Sequence, residues 1–172
     1  MRQLRRSYPS AERAHLQLRR FTVALQKRNK RDLAIFLAFR FLGLPYRWGG
    51  NDPVDGFDCS GLIVELLKSV GVLGRKGDWS SRGLWSGFQD NVRSHPEAGF
   101  LVFYSSKAAP DRITHVEMCL DSELAIGASG GGSKTLTEED AAHMDAYIKV
   151  RPIDRGRPIV GYVDPFAGDA DE

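Results

Sequence analysis

Cys59 is the residue of this chain best placed for nucleophilic chemistry. It follows a loop punctuated by Gly and Pro, and it opens an apolar run. In that run Leu62, Ile63, Leu66, Leu67 and Val70 recur at the spacing of a helix with one buried face. Asp58 is a favoured N-cap residue and Gly71 a favoured terminator. Cys59 is therefore expected in the first turn of a buried helix. First-turn N–H groups have no intrahelical acceptor, and the helix dipole is positive there. Both stabilise negative charge, and the thiolate is the nucleophilic form of cysteine. The free N–H groups around Cys59 and Ser60 also suit an oxyanion on an attacked carbonyl. The plain alternative is a buried, inert structural cysteine. His115, at the mouth of an expected strand, reads on its own as a structural or surface histidine; with the Cys59 context upstream it becomes the candidate base, because an imidazole in reach activates a thiol and then protonates the leaving amine. His15, His95 and His143 have no comparable context.

These two residues need a helix and a strand to hold them. Asp32 to Gly43 reads as a helix capped by Asp32, with apolar surface wide enough to be mostly buried. Residues 71 to 90 read as loop, with a short helix expected between Ser81 and Asn91. Trp79, Trp85 and Phe88 either pack on the core or rim a groove. Strands are expected over Phe100–Tyr104, Ile113–Leu120, Leu124–Ala128, Tyr147–Pro152 and Ile159–Val163. Thr137 caps a short helix that runs to Met144. Strand alternation puts Val116, Met118 and Leu120 on the core face, and His115 and Glu117 together on the less buried one.

The 172 residues suit one domain. Hydrophobic residues at 42% and charged ones at 27% describe a soluble globular chain. A net charge of +2 gives no whole-chain reason to expect nucleic acid. Cys59 and Cys119 do not make a disulfide framework, and Cys and His are too sparse for a zinc site, so no cofactor or metal is expected. No apolar run is long enough for a membrane span. The basic N-terminus lacks the apolar core of a secretory signal, which predicts synthesis in the cytoplasm. Residues 1–31 form a basic extension, with Glu12 the sole acid among ten Lys and Arg. It is expected as a solvated arm or an amphipathic element, with contact to anionic wall polymer as the sharper reading. Residues 168–172 read as an acidic tail.

Pro45-Tyr46-Arg47-Trp48-Gly49-Gly50 followed by Gly56-Phe57-Asp58-Cys59-Ser60-Gly61-Leu62 resembles the nucleophile motif of the NlpC-type cell-wall peptidases, a papain-like family of cysteine hydrolases. Thr114-His115-Val116 matches that family's second motif, in the family's order. The resemblance covers roughly residues 32 to 166. It implies Cys59 as nucleophile and His115 as base, Tyr46 lining the site, and Asp58 and Ser60 contacting the substrate's free amine. The loop Asn51 to Asp55 is longer than the family's, which bears on the Tyr46 contact. Phe100 stands where the family usually carries an acid. Alignment without gaps puts the family's orienting polar residue at Gly127, which has no side chain to orient an imidazole. Backbone or water, Glu117 and Ser129 are the alternatives for that role. Gly127→His is expected to raise turnover if its ring fits.

The fold expected is α+β and papain-like, with nucleophile-bearing helices packed on a small antiparallel sheet, and the catalytic domain spanning residues 32–167. The function implied is hydrolysis of an amide in peptidoglycan peptides, at γ-D-glutamyl-diaminopimelate, through a Cys59 thioacyl intermediate. A missing signal and missing wall-binding repeats suggest a phage or prophage endolysin or a tail-borne hydrolase, with tail or lysis partners, acting on the wall after release or as a virion component. A catalytically inactive wall-binding or tail-structural module is the alternative from another class. A thioester-forming transferase on the same scaffold is a third. Limited iodoacetamide treatment of the folded protein at neutral pH should label Cys59 well before Cys119, read by peptide mass spectrometry; the reverse order contradicts the nucleophile assignment.

Overall fold

Each α-helix among the described residues starts at a short polar side chain that takes up an orphan N–H. The computed structural model describes residues 29–168. Helix α1, Lys30–Arg40, is capped by Asn29, whose side chain accepts from Asp32 N at 2.8 Å. Helix α2, Cys59–Ser69, is capped by Asp58; α3, Ser81–Gly87, by Ser80; and α4, Glu138–His143, by Thr137 in a reciprocal capping box with Asp140. Asp32 thus sits in the first turn of α1 rather than at its cap. Asn29 is the better cap because its extended backbone turns the amide oxygen onto the Asp32 N–H. The early start brings Arg31 into the folded domain. It donates to both oxygens of Asp164 at 3.0 Å and lies 5.2 Å from the ring centroids of Phe100 and Phe166. The remainder of the basic extension, residues 1–28, and the acidic tail from residue 169 lie outside the described residues.

Helix α1 is less buried than its composition suggests. Ala34 and Ala38 are its fully buried residues, whereas Phe36 and Phe39 stay 38% and 44% exposed. The two alanines sit deepest, and Leu33, Ile35, Leu37 and Phe41 pack half-buried around them against the core.

A six-stranded antiparallel sheet stands behind the helices: β3 (Val92–Arg93), β4 (Leu101–Tyr104), β5 (His115–Cys119), β6 (Leu124–Ser129), β7 (Tyr147–Pro152) and β8 (Ile159–Val163). β1 (Asn51–Asp52) and β2 (Gly56–Phe57) form a separate hairpin in the loop before α2. The order across the sheet is β3-β8-β4-β5-β6-β7. Leu101, Phe103, Val116, Met118, Ile126 and Ala128 share one core with the buried face of α2. The alternate residues Val102, Tyr104, Cys119 and Ala125 form a second cluster with Phe100 and Ile153 on the other side. The sheet is therefore covered on both faces. This corrects the expectation that His115 and Glu117 lie on a less buried face: they are 5% and 0% exposed. The reason is the loop between β7 and β8, which carries Ile153, Arg155 and Arg157 over that face.

The loop that precedes Cys59 is held against α2 by absent side chains. A Cβ on Gly61 would stand 2.1 Å from the Gly50 carbonyl oxygen and 3.1 Å from Asn51 Cα. Asp58 N donates to the same carbonyl at 2.9 Å. Backbone lies on both sides, so no rotamer change makes room. Gly61→Ala is expected to cost about 1–3 kcal/mol by overpacking. Urea unfolding should show it as a lower midpoint at unchanged slope; an unshifted midpoint means that the loop does not rest on the helix.

Candidate active site

Cys59 is the first residue of α2 and is 9% exposed. The first intrahelical bond in that turn runs from Leu62 N to Asp58 O, and the Asp58 side chain takes Gly61 N at 2.7 Å. The N–H groups of Cys59 and Ser60 precede any intrahelical acceptor, so they are available to an anion at the thiol. The other cysteine, Cys119, is fully buried, and burial together with the Glu117 charge pushes its thiol up to about 12. The structure thus separates one thiol at a helix mouth from one sealed in the second core.

His115 opens β5, opposite Tyr104 of β4, with their rings 5.8 Å apart. Nε2 of His115 meets Glu117 Oε1 at 3.0 Å. That leaves Nδ1 as the nitrogen for Cys59, whose side chain interacts with the ring. Burial works to lower the imidazole pKa, but contact with Cys59 and Glu117 outweighs it and lifts the value to about 8.

Glu117 is enclosed yet has cationic partners on both oxygens. Arg155 Nη1 reaches Oε2 at 2.9 Å, and Tyr104 OH lies 3.5 Å from the same oxygen. Arg155 also donates to Tyr104 OH at 3.1 Å and to Pro152 O at 2.9 Å, and stacks 4.6 Å from the Tyr104 centroid. Burial raises the carboxyl pKa; His115 and Arg155 together overcome this and hold it below its ordinary value. Arg157 continues the cationic edge. It donates to Thr114 Oγ1 at 2.9 Å and to Ser105 O at 3.2 Å, and burial and Arg155 both lower its pKa. Arg155, Arg157 and Tyr104 were missed from the sequence. Asp154-Arg155-Gly156-Arg157 falls between two expected strands and carries no signal of its own; the reason to look for a counter-charge appears only with the burial of Glu117.

The remaining expected site residues also converge. Tyr46 is 3% exposed, and burial, followed by the charges of Cys59 and Asp58, raises its phenol well above the usual range. The loop Asn51 to Asp55 does not displace it. Asp52 Oδ1 accepts from Val54 N and Asp55 N at 2.8 and 2.9 Å, which folds the extra residues into the β1–β2 turn. Asp58 serves as cap, accepts from Ser60 Oγ at 3.0 Å, and takes Gly49 N on its second oxygen at 3.2 Å. Asp58 and Ser60 line a cleft of about 140 Å³ with Asp78 and Trp79. Trp79 both packs on the core and walls the cleft, while Trp85 is a core-facing ring, edge-on to Phe103 at 5.2 Å. Asp78 had no sequence signal beyond its loop. Among the described residues no group of His, Cys, Asp and Glu is arranged to hold a metal ion, and no helix is long and apolar enough to cross a membrane.

A model of the NlpC/P60 family matches residues 43–151. The bifunctional muramidase/DL-endopeptidase CwlT of Bacillus subtilis is 33% identical over 95 residues, which are 55% of this chain and 28% of that protein. The gamma-D-glutamyl-L-lysine dipeptidyl-peptidase of Bacillus subtilis is 35% identical over 122 residues, 67% of this chain and 39% of that protein. The chain thus spans well under half the length of these relatives. Among solved structures, the NlpC/p60 domain of the peptidoglycan hydrolase SagA superposes with a TM-score of 0.55 at 26% identity, over 77% of this chain and 97% of that domain. The peptidoglycan hydrolase RipB of Mycobacterium tuberculosis gives 0.53 at 25% identity, over 78% and 63%. The α+β papain-like fold expected from the sequence is the observed one.

The raised His115 pKa has a measurable consequence. The folded value lies above the ordinary 6.5, so protonation of this ring stabilises the fold fully below about pH 6.5, and the contribution is lost as pH rises through about 8. An NMR titration of the His115 ring should give a midpoint near 8. A midpoint at or below 6.5 would show that burial, not the contacts with Cys59 and Glu117, dominates the ring.

Proposed function

The chain belongs to the NlpC/P60 family, and from that premise we propose that it hydrolyses an amide bond in peptidoglycan peptides as a cysteine peptidase. The observation that carries the reading is Cys59 on the first turn of α2 beside an imidazole that is anchored at its far nitrogen. His115 takes the Cys59 thiol proton as Sγ attacks the scissile carbonyl, forming a C–S bond while the oxyanion rests on first-turn N–H groups. His115 delivers its proton to the leaving amine as the C–N bond breaks. Water then attacks the thioester, His115 takes the water proton, and the acid and the thiol are released.

The substrate class follows from the cleft and the relatives. A free ammonium suits the cleft of Asp58, Ser60 and Asp78, with Tyr46 walling the approach to Cys59. A peptide with an exposed amine a short distance from the cut bond fits this placement. The bond after γ-linked D-glutamate is the finer proposal, supported by the name of the dipeptidyl-peptidase relative. Use by a phage, as endolysin or tail-borne hydrolase, is a further and separate proposal; lysis of intact host cells, as opposed to purified walls alone, tests it. The inactive-module reading draws on Gly127, where the resembling family has a side chain that orients its base.

Mass analysis of products from a defined muropeptide tests both activity and bond. Wild type should release two fragments cut at one amide, and Cys59→Ala should lose at least about a thousandfold in turnover with folding and wall binding retained. Hydrolysis surviving in clean Cys59→Ala protein would rule out the thioacyl route. Binding without cleavage by wild type would favour the inactive module.

A further inference from the structure

The base of this site is oriented from its own strand, and the neighbouring strand has been hollowed to permit it. The register Met118↔Ile126 of β5 on β6 places Gly127 opposite Glu117 one step along. A Cβ on Gly127 would fall 2.4 Å from Glu117 Cγ, 3.0 Å from its Cβ and 3.1 Å from its Cδ. The space of a residue-127 side chain is thus filled by the Glu117 side chain. Ordinarily i and i+2 side chains of a strand stand roughly 6–7 Å apart and run parallel. Glu117 bends across the void at Gly127 and returns to His115 Nε2 at 3.0 Å. Its second oxygen is taken by Arg155 at 2.9 Å. With one oxygen on each cation, the carboxylate is fixed in rotation as well as in charge.

We propose that Glu117 is the positioning residue of His115, that Gly127 is the vacancy it requires, and that Arg155 is the clamp that keeps it in place and charged. This rests on the reading of Cys59 and His115 as nucleophile and base. The anionic orienter distinguishes this site from one held by a neutral group, because a carboxylate stabilises the imidazolium as well as aiming the ring. The groups facing His115 are Cys59 from α2, Tyr104 from β4, Glu117 from its own strand, and Arg155 and Arg157 from the loop before β8 by way of Tyr104 and Thr114. Glu117 and Cys59 favour the charged ring, and the two arginines oppose it from behind Glu117 and Thr114. Neutralising Glu117 therefore lowers the His115 pKa.

The inference also reverses the expected effect of Gly127→His. The new side chain does not find an empty site; it displaces Glu117. Even a methyl group suffices, so Gly127→Ala is the sharper variant.

The test uses two readouts: turnover on a defined muropeptide across pH, and the NMR titration midpoint of His115, which needs no substrate. Glu117→Gln should lower kcat about a hundredfold and move both the His115 midpoint and the alkaline limb of turnover downward. Gly127→Ala should do the same in direction, although alanine in a strand is otherwise benign. In a Glu117→Gly background, Gly127→Ala should cause no further loss, since nothing is left to displace. If Glu117→Gln unfolds because Arg155 is left unpaired, Glu117→Gln with Arg155→Met provides the same comparison without the buried charge. Wild-type midpoint and turnover within about twofold in Gly127→Ala, or an unmoved midpoint in the Glu117 variants, overturns the inference. If wild type cleaves no wall peptide but the midpoints move as stated, the proposed function fails and the positioning role stands.

Discussion

The buried charge of Glu117 is the constraint on which the site depends. A carboxylate with no exposure is tolerated only when its charge is met on the spot, and here His115 and Arg155 meet it on separate oxygens. The requirement spreads outward. Arg155 must cross from the β7–β8 loop, Tyr104 must present its ring and hydroxyl, and Gly127 must lack a side chain. Four elements are thus tied to one carboxylate, and together they close the sheet face that would otherwise be open to solvent. The same arrangement fixes the ring of His115 from behind, on the side away from the thiol.

The other half of the site depends on backbone approach. Asp58 caps α2, receives Ser60 Oγ and also ties down Gly49, so the nucleophile's helix and the loop in front of it share one carboxylate. Gly61 lets the helix and loop backbones touch, and Gly50 lets the loop fold closely against its own Gly56 carbonyl. The Asn51–Asp55 excursion is absorbed as a hairpin without moving Tyr46 from the neighbourhood of Cys59. One loop-helix unit brings Cys59, the other strand-loop unit brings the base, and the shared core of α2 with Val116 and Met118 sets their separation.

Family membership and fold leave room for this variation. The NlpC/P60 match covers the loop before Cys59, the strand that carries His115, and β6, and the acceptor at His115 Nε2 lies on His115's own strand. What the chemistry needs is an acceptor at Nε2 with a fixed direction. A neighbouring strand can supply it, and so can the base's own strand if the neighbour gives way. In this chain the acceptor is Glu117, which brings a buried ion pair with Arg155 and sets a carboxylate against His115.

Local chemistry made the nucleophile legible in the sequence: Asp58 as cap, Cys59 at the first turn, an apolar helix face, and a glycine-rich loop in front. Five strands, too, announced themselves by their apolar runs, and Tyr147–Pro152 and Ile159–Val163 have the limits their residues suggested; the two-residue strands β1, β2 and β3 have no such run and were not expected. His115 was legible as a candidate base only through the Cys59 motif upstream, since a histidine opening a strand has by itself a structural reading. Three features were not legible. Alternation cannot say that both faces of β5 are covered, because that depends on Ile153 and the arginines of a distant loop. Residue type cannot show that Asn29 rather than Asp32 caps α1, since both are good caps. Nor can the sequence show what lies against His115 Nε2: Gly127 looks like a missing side chain until the ladder between β5 and β6 places it against Glu117. Nearest-neighbour preferences act along the chain and determine the elements. The charge balance at Glu117 acts across four elements remote in sequence, so only their packing decides it.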